Sequence, residues 1–165
     1  EIGGKVLGLI GIGNIGKEVA VRAAALGMTV IAYDPYVQEA PAVKIVTLEE
    51  VLAKSDYISL HLPKTKESAD MIGAAQFGKM KDGVRLVNCA RGGIVNEAAL
   101  YDALVSGKVA GAALDVFGEE PPTDWKLAKH ELVICSPHIG AATREGQGRV
   151  GAEVADKLIE FAKSH

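Results

Sequence analysis

Residues 6–16 of the chain read Val-Leu-Gly-Leu-Ile-Gly-Ile-Gly-Asn-Ile-Gly, a short apolar run that leads directly into the pattern Gly-x-Gly-x-x-Gly. The apolar run predicts a strand buried on both faces over Val6–Ile10. After it, apolar residues within 15–26 recur at spacings of four, four and three, which predicts a helix that stops near Gly27. Residues 29–33 predict a second strand, so the chain starts with a βαβ unit.

Each glycine of this pattern has a task that a residue without a side chain performs well. Gly11 allows the tight turn after the strand, and Gly16 lets the helix pack close to the sheet. Gly13 lets backbone N–H groups approach a diphosphate, which would lie at the positive end of the helix. The pattern therefore predicts a dinucleotide-binding turn. The alternative, that it only joins a strand to a helix in a domain that binds nothing, stays open at this point.

An acidic side chain, Asp34, ends the second predicted strand, as expected of a domain that binds a dinucleotide. Its carboxylate can accept hydrogen bonds from the ribose hydroxyls of adenosine, and its charge would repel a 2′-phosphate. No arginine follows it directly to compensate that charge. NAD is therefore favoured over NADP as the cofactor.

The alternation of strands and helices continues to the end of the chain. Strands are predicted over residues 57–60, 85–87, 110–116 and 132–135, and helices over 47–53, within 72–83, over 97–105 and over 143–163. The proline pair at 121–122 excludes regular structure across 118–130, and we expect glycines to fray or strain the first half of the last helix. The whole pattern predicts an α/β, Rossmann-type fold: a doubly wound parallel sheet with helices on both faces, in three layers.

The composition is that of one ordinary globular domain, with 165 residues, 48% of them hydrophobic, and a net charge of −3. A nucleic-acid or anionic-membrane partner would need a basic stretch, which the sequence lacks. No apolar run approaches the roughly 20 residues that a bilayer requires, and no basic start precedes an apolar stretch as in a secretion signal. We therefore expect a cytosolic protein.

The remaining compositional signals concern cysteines, histidines and the chain start. Cys89 and Cys135 lie far apart without a metal-ligand spacing, so neither a disulfide framework nor a metal site is expected. His130 and His165 are expected at the surface. The chain starts at Glu1 and a predicted strand follows within five residues, so we expect a processed chain or a fragment of a longer one.

Polar or glycine residues follow most of the predicted strands. In open parallel sheets the ligand crevice lies outside the carboxyl ends of the strands, so residues that follow different strands can face one cleft. The residues expected there are Gly13, Asp34, His61, Arg91, Asp115 and His138.

Three side chains near that cleft suit a reaction in which a hydride moves to or from a carbonyl carbon. Arg91, flanked by Gly92 and Gly93, follows a predicted strand and can form a bidentate pair with a carboxylate. His138 ends another strand and, beside a carboxylate such as Glu120, can donate a proton to a carbonyl oxygen. From spacing alone, each also has a structural explanation: a surface charge, a solvated turn residue or a helix cap.

The order and wording of five segments resemble the signatures of the D-2-hydroxyacid dehydrogenase family. These segments are residues 6–16, His61-Leu62-Pro63, residues 87–95, residues 113–117 with Glu120-Pro121, and Pro137-His138-Ile139-Gly140. Together they span nearly the whole chain. Residues 88–95 and 119–122 most resemble the members that oxidise 3-phosphoglycerate to 3-phosphohydroxypyruvate at the start of serine synthesis.

The resemblance implies a role for each matched residue. Arg91 would hold the substrate carboxylate and carbonyl, His138 would be the acid/base, and Glu120 would set the protonation of His138. The residues implied in binding NAD are Gly11, Gly13, Asn14, Ile15, Gly16, Asp34, His61, Leu62, Pro63, Cys89, Ala90, Arg91, Asp115, His138, Gly140 and Ala141. In that set Asn14 and Ile15 would lie over the diphosphate, and Leu62 near the adenine. Cys89, Ala90, Asp115, Gly140 and Ala141 would surround the nicotinamide half, whereas His61 either faces the cofactor or only ends its strand.

Members of the family also carry a second, substrate-binding domain. The resemblance therefore implies that residues 1–165 are the NAD-binding domain alone, that the substrate-binding domain of the same parent chain is absent, and that the parent is a homo-oligomer. We expect the isolated chain to bind NAD(H) with little turnover. Two alternatives remain: another small substrate, such as glyoxylate or hydroxypyruvate, or an NAD-sensing binding protein like the transcriptional corepressors that resemble this family.

Overall fold

In the computed structural model, which describes residues 1–41 and 43–164, every strand of the sheet runs parallel to its neighbours. The strands are β1 (Val6–Ile10), β2 (Thr29–Tyr33), β3 (Lys44–Ile45), β4 (Tyr57–Leu60), β5 (Val84–Asn88), β6 (Val109–Leu114) and β7 (Val133–Cys135). The helices are α1 (Asn14–Ala25), α2 (Leu48–Lys54), α3 (Ala74–Lys79), α4 (Glu97–Val105) and α5 (Arg144–Ser164). The sheet order is β3-β2-β1-β4-β5-β6-β7.

Two apolar clusters cover the two faces of the sheet. Side chains alternate along β1, so Leu7 and Leu9 pack in the cluster that contains Ala20 and Ala23 of α1. Ile10 points to the opposite face, where α2, α3 and α4 supply the other cluster. Helices therefore lie on both faces, and the predicted doubly wound fold is confirmed.

The order of the strands reverses at β1, which has β2 on one side and β4 on the other. In a doubly wound sheet this reversal opens a crevice at the carboxyl ends of the strands, because the connections leave in opposite directions there. The glycine turn follows β1 at this edge. The fold therefore places the predicted dinucleotide-binding turn at the mouth of the crevice.

Two strands differ most from the sequence-based prediction. The two-residue strand β3 was not predicted, because two residues carry no periodic signal; β2 pairs with it through Ile31 and Ala32. Strand β6 ends at Leu114 rather than at residue 116, because its partner β7 ends at Cys135, opposite Leu114. Between Gly118 and His130 the chain is irregular, as the prolines predicted.

The expectation that glycines fray the last helix is wrong. Helix α5 is continuous over Arg144–Ser164. Each glycine costs a helix only about 1 kcal/mol, and the helix start is supported by Thr143, whose Oγ1 accepts a hydrogen bond from the Gly146 N–H at 3.0 Å.

Helix α5 contributes no buried residue to the described structure. Its exposed apolar side chains include Val150, Val154, Leu158 and Ile159. Within residues 1–41 and 43–164 no helix combines the length and the apolar character needed to cross a membrane. His165, expected at the surface, lies outside the described residues.

Candidate active site

The turn between β1 and α1 admits only glycine at two positions. Gly11 has a φ of +95°, which side chains disfavour, and a Cβ there would lie 2.4 Å from the carbonyl oxygen of His61. A Cβ on Gly16 would lie 2.6 Å from the carbonyl oxygen of Gly11. The chain can therefore turn tightly and bring α1 close to the sheet only because both side chains are absent.

Gly13 stands at the start of α1 and faces open space. No atom lies within 4 Å of the position that its Cβ would take, and no side chain caps the helix. The N–H groups of the first turn, where Asn14 and Ile15 lie exposed, have no partner within the helix. An open space above the positive end of a helix fits a diphosphate, which these N–H groups would hold.

Asp34 fixes the glycine turn as well as the end of β2. Its Oδ2 accepts a hydrogen bond from the backbone N–H of Ile12, and its Oδ1 accepts one from the N–H of Tyr36, both at 2.9 Å. A carboxylate has about four acceptor positions, so the group retains capacity for two ribose hydroxyls. The carboxylate thus connects the end of β2 to the turn after β1.

A groove of about 430 Å³ runs along the carboxyl ends of β1, β2 and β4. Six residues predicted to bind the cofactor line it: Gly11, Gly13, Asp34, His61, Leu62 and Pro63. The groove continues from the start of α1 past the Asp34 carboxylate. This arrangement fits a diphosphate at the helix and an adenosine beside Asp34.

His61 lies at the wall of the groove and is held by a buried serine. Its Nε2 is 2.9 Å from the Oγ of Ser59, and burial lowers the pKa of the imidazole below its usual value. His61 directly follows β4 and its side chain lines the groove, so the strand-end position and the position at the groove occur together.

The structure brings His138 and Glu120 together, although 18 residues separate them in the chain. The Nδ1 of His138 is 2.7 Å from the Oε2 of Glu120. The other carboxylate oxygen, Oε1, accepts a hydrogen bond from the backbone N–H of Phe117 at 3.0 Å. The hydrogen bonds from His138 and then from Phe117 hold the pKa of Glu120 below its usual value. Glu120 is thus a fixed anion that orients the imidazole.

Asp115, only 4% exposed, holds the loop that carries His138. Its Oδ1 accepts hydrogen bonds from the hydroxyl of Ser136 at 2.6 Å and from the N–H of Ile139 at 2.9 Å, and its Oδ2 accepts one from the N–H of Gly140 at 2.9 Å. Burial alone would raise the pKa of Asp115, but these hydrogen bonds lower it overall. His138 has a φ of +54° within this loop, a conformation that histidine tolerates better than most residues.

Arg91 lies exposed in the loop after β5, the strand between β4 and β6. Its Nη1 donates a hydrogen bond to the carbonyl oxygen of Ala90 at 2.6 Å. The loop is held by Asn88, whose Oδ1 accepts from the Ala90 N–H and whose Nδ2 donates to the Arg91 carbonyl, both at 3.1 Å. Arg91 thus follows β5, the strand that lies between the groove and the His138–Glu120 pair. The structure shows no direct contact between Arg91 and either residue of that pair.

Glycines allow the Arg91 loop to approach its neighbour. A Cβ on Gly92 would lie 1.6 Å from the carbonyl oxygen of Phe117, and Gly93 has a φ of +74°. The same loop begins with Cys89, whose side chain is exposed although neighbouring groups partly desolvate the thiol. That desolvation, and then the charge of Asp115, raise the pKa of the thiol. A raised thiol pKa makes Cys89 a poor nucleophile.

A second cavity, of about 380 Å³, opens beside His138. Its polar side chains include Asp115, Glu120, Ser136 and His138. Pro121, Pro122 and Trp125 supply much of its apolar wall. Gly140 and Ala141 follow His138 at the start of the next segment and are exposed. The cavity and the groove therefore lie at the same edge of the sheet, on either side of β5.

Sequence reasoning missed several residues of these two sites. Ser136 stands directly before Pro137 at the end of β7, so the rule that ligand sites follow strand ends would have found it. Tyr33, Tyr36, Thr65, Ser68 and Met71 also line the groove. Most of these stand within five residues of Asp34 or Pro63, and only proximity in the chain could have indicated them.

Comparison with known proteins gives a consistent result. Residues 1–140 match the model of the D-isomer specific 2-hydroxyacid dehydrogenase family, NAD binding domain. The chain is 53% identical to D-3-phosphoglycerate dehydrogenase of Bacillus subtilis and 52% identical to hydroxypyruvate reductase of Thermotoga maritima. Among solved structures, a glyoxylate reductase from Paecilomyes thermophila matches with a TM-score of 0.90 at 41% identity.

These similarities cover almost all of the chain but only part of each relative. The Bacillus subtilis comparison includes 99% of the chain and 32% of the relative, and the Thermotoga maritima comparison 97% and 54%. The glyoxylate reductase comparison includes 94% of the chain and 48% of that structure. The chain therefore spans between a third and about half of the length of the proteins that it matches.

Proposed function

The chain belongs to the D-isomer specific 2-hydroxyacid dehydrogenase family, as an NAD-binding domain, and from that premise we propose that it serves an enzyme that oxidises D-3-phosphoglycerate to 3-phosphohydroxypyruvate. The observation that carries the dehydrogenase chemistry is the 2.7 Å contact between His138 and Glu120 at the same sheet edge as the cofactor groove. The choice of substrate is supported by the 53% identity to D-3-phosphoglycerate dehydrogenase. An imidazole oriented by a carboxylate suits the removal of a proton from a hydroxyl group.

We assign the proton transfer of this reaction to His138. Because its Nδ1 is engaged by Glu120, Nε2 is the atom that would accept the proton of the substrate hydroxyl. The imidazole becomes positively charged in that step, and the fixed anion of Glu120 stabilises the charge. Bound NAD would accept the hydride from the carbon that bears this hydroxyl. In the reverse direction Nε2 returns the proton to the carbonyl oxygen.

The remaining roles follow from the placement of Arg91 and of the Asp115 loop. The exposed guanidinium of Arg91 is available to pair with the substrate carboxylate. Asp115 accepts hydrogen bonds from the Ser136 hydroxyl before His138 and from the Ile139 N–H after it, and so fixes the position of the imidazole at the end of the sheet. The glycine turn and Asp34 would bind the diphosphate and the adenosine ribose.

We also propose that a substrate-binding domain of the parent chain completes the site. Apart from His138 itself, no basic side chain of the described residues lines the cavity beside His138, so basic groups of that other domain would bind the substrate phosphate. The exposed apolar residues of α5 suit packing against such a domain. The isolated chain would bind NAD(H) and turn over poorly. A homo-oligomeric parent, a cytosolic location and a place in serine synthesis remain predictions of the same proposal.

A second candidate substrate is favoured by one comparison. The identity to hydroxypyruvate reductase, 52%, almost equals the identity to D-3-phosphoglycerate dehydrogenase, 53%. Hydroxypyruvate is the same keto acid without the phosphate. The choice between the two therefore depends on groups that would bind the phosphate, not on His138 or Glu120.

The test uses the full-length parent and this chain side by side. With NADH as reductant, we expect kcat/KM of the parent to be higher for 3-phosphohydroxypyruvate than for hydroxypyruvate or glyoxylate, and this chain to bind NADH without appreciable turnover. If the parent prefers hydroxypyruvate, that keto acid replaces 3-phosphohydroxypyruvate as the proposed substrate. A parent that binds NADH and reduces none of the three acids would favour an NAD-sensing protein, and failure to bind NADH would overturn the proposal.

A further inference from the structure

Glu97, the first residue of α4, contacts a segment from another part of the chain. Its Oε1 accepts a hydrogen bond from the backbone N–H of Gly118 at 2.6 Å, and the two residues are 21 positions apart. The helix does not need Glu97 as a cap, because the Oδ1 of Asn96 accepts a hydrogen bond from the Ala99 N–H at 2.9 Å. The Glu97 carboxylate is therefore available to hold a second segment at the start of α4.

The segment that Glu97 holds also carries Glu120. The N–H of Phe117 donates to the Oε1 of Glu120 at 3.0 Å, and the next N–H along the chain, that of Gly118, donates to Glu97. Two consecutive backbone N–H groups are thus bound by two carboxylates, one within the segment and one on α4. A shift of Gly118 would move Phe117 with it, and so would disturb one of the contacts that fix the Glu120 carboxylate.

The peptide group between Phe117 and Gly118 is held at both of its polar ends. Its N–H donates to Glu97, whereas its carbonyl oxygen packs so closely on Gly92 that a Cβ there would lie 1.6 Å away. The N–H and the C=O of a trans peptide point in opposite directions, so Gly92 and Glu97 contact this peptide from opposite sides. Because Arg91 directly precedes Gly92, the same peptide fixes the Glu120 segment relative to the Arg91 loop.

The residues that follow Glu120 attach the segment to α4 only farther along the chain. Pro121 and Pro122 have no N–H to donate. A further contact with α4 is made by Lys126, whose Nζ lies 4.0 Å from the centre of the Tyr101 ring. Glu97 therefore holds the segment two residues before Glu120, and Tyr101 holds it six residues after.

We propose that Glu97 is a positioning residue for the reaction: by holding the Phe117–Gly118 peptide, it keeps Glu120 in contact with His138 and this pair in register with Arg91. The proposal rests on the acid/base pair of the proposed function and adds a residue that acts through Glu120 rather than on the substrate. The required feature is an oxygen acceptor at the end of a side chain of this length, and not the charge of the residue.

Substitutions at Glu97 separate the hydrogen bond from the charge. Glu97→Ala removes both. Glu97→Gln keeps an oxygen acceptor at the same reach, whereas Glu97→Asp keeps the charge but shortens the side chain by one methylene group. The matched control is Asp82→Ala, which removes the 2.7 Å acceptor of Lys108 in a contact between the segments that precede β5 and β6. That contact lies at the amino ends of these strands, at the opposite edge of the sheet from Glu120.

The first measurement is the titration of the Glu120 carboxyl group in this chain, followed by carbon NMR. The hydrogen bonds from His138 and then from Phe117 hold the pKa of Glu120 below its usual value of 4.5. Loosening of the segment weakens both bonds, so the pKa of Glu120 should rise toward 4.5 in Glu97→Ala and in Glu97→Asp. In Glu97→Gln and Asp82→Ala, Glu120 should titrate as in the unmodified chain.

The second measurement is reduction of the keto acid by the full-length parent as a function of pH. Glu97→Ala and Glu97→Asp should lower kcat by about 10-fold to 10²-fold, as expected when a catalytic group is displaced by about 1 Å, and should alter the pH profile of kcat. Glu97→Gln and Asp82→Ala should retain both. The dissociation constant of NADH should change much less than kcat, because the glycine turn and Asp34 are untouched.

A kcat and a pH profile of Glu97→Ala equal to those of the unmodified parent would overturn the proposal, even if the variant were less stable. An equal loss of kcat in Glu97→Gln and Glu97→Ala would overturn it as well, because the effect would then follow the charge. If Glu97→Ala did not fold, Glu97→Asp would give the same comparison. If the unmodified parent reduced no 2-keto acid, the proposed function would fail, and the titration of Glu120 in this chain would alone decide whether Glu97 positions it.

Discussion

The Oδ2 of Asp34 accepts a hydrogen bond from the backbone N–H of Ile12 at 2.9 Å, so the residue expected to hold the ribose also holds the glycine turn. With the proposed ribose contact, selectivity for NAD and the shape of the glycine turn would both depend on one carboxylate. A change made to alter the choice of cofactor would also disturb the turn.

Asp34→Ala should lower the free energy of unfolding without ligand by about 1–3 kcal/mol, because two backbone N–H groups lose their acceptor. The same variant should bind NADH more weakly and should not become a tight NADPH binder, because the turn that holds the diphosphate is loosened. Urea unfolding of the ligand-free chain and titration with both dinucleotides measure the two effects separately.

Asp124→Ala is the matched control for this variant. Asp124 also accepts a backbone N–H two residues along the chain, from Lys126 at 2.8 Å, but that bond is exposed and local. Its loss should change stability much less. If Asp34→Ala and the unmodified chain had equal free energies of unfolding, the structural role assigned to the carboxylate would be wrong.

Ser136→Ala should destabilise the chain at neutral pH by about 2 kcal/mol, because Asp115 loses the 2.6 Å hydrogen bond from the serine hydroxyl. The pKa of Asp115 is lowered in the folded chain from its usual value of 3.8. A lowered carboxyl pKa contributes stability that is present above the unfolded pKa and is lost as pH falls through the folded pKa. The difference in the free energy of unfolding between Ser136→Ala and the unmodified chain should therefore have its maximum value at pH 7 and should decrease below pH 3.8.

Urea unfolding at several pH values tests this dependence. Ser136→Thr retains the hydroxyl and should keep most of the stability. Ser106→Ala removes a hydroxyl that donates only to a neutral carbonyl, that of Ala103 at 3.2 Å, and should show no comparable dependence on pH. A loss for Ser136→Ala that is independent of pH would show that the hydroxyl matters for packing and not for the charge of Asp115.

Gly92→Ala should unfold the chain more readily or prevent folding. The new Cβ would lie 1.6 Å from the carbonyl oxygen of Phe117, and relief of that clash requires the Arg91 loop to move from the end of β6. Overpacking of this kind costs about 1–3 kcal/mol or more. Gly78→Ala, in α3, meets no atom within 4 Å and should stabilise the chain slightly, because alanine favours helix. Thermal unfolding of both variants gives the comparison, and similar effects of the two substitutions would contradict the tight contact at Gly92.

The sequence predicted those parts of the structure that depend on local pattern. The unit from β1 to β2 was predicted because apolar spacing, glycines and Asp34 lie within about 30 residues. Ser136 and Asp115 are 21 residues apart and follow two different strands, so no local periodicity indicates their contact. The pairing of Glu120 with His138 was implied only by a family resemblance, since their approach depends on how an irregular segment returns to the sheet.

His138→Asn tests the proposed acid/base in the full-length parent while respecting the backbone. His138 has a φ of +54°, and asparagine is among the residues that adopt this conformation most readily, so the loop held by Asp115 should persist. Asparagine cannot take up a proton, so kcat for reduction of the keto acid should fall about 10²-fold to 10⁴-fold. The dissociation constant of NADH should change much less than kcat, because the glycine turn and Asp34 are untouched. Glu120→Gln should reduce kcat less and should alter its pH profile, because the amide keeps a contact with Nδ1 but not the charge. A His138→Asn variant with nearly unchanged kcat would require another residue as the acid/base.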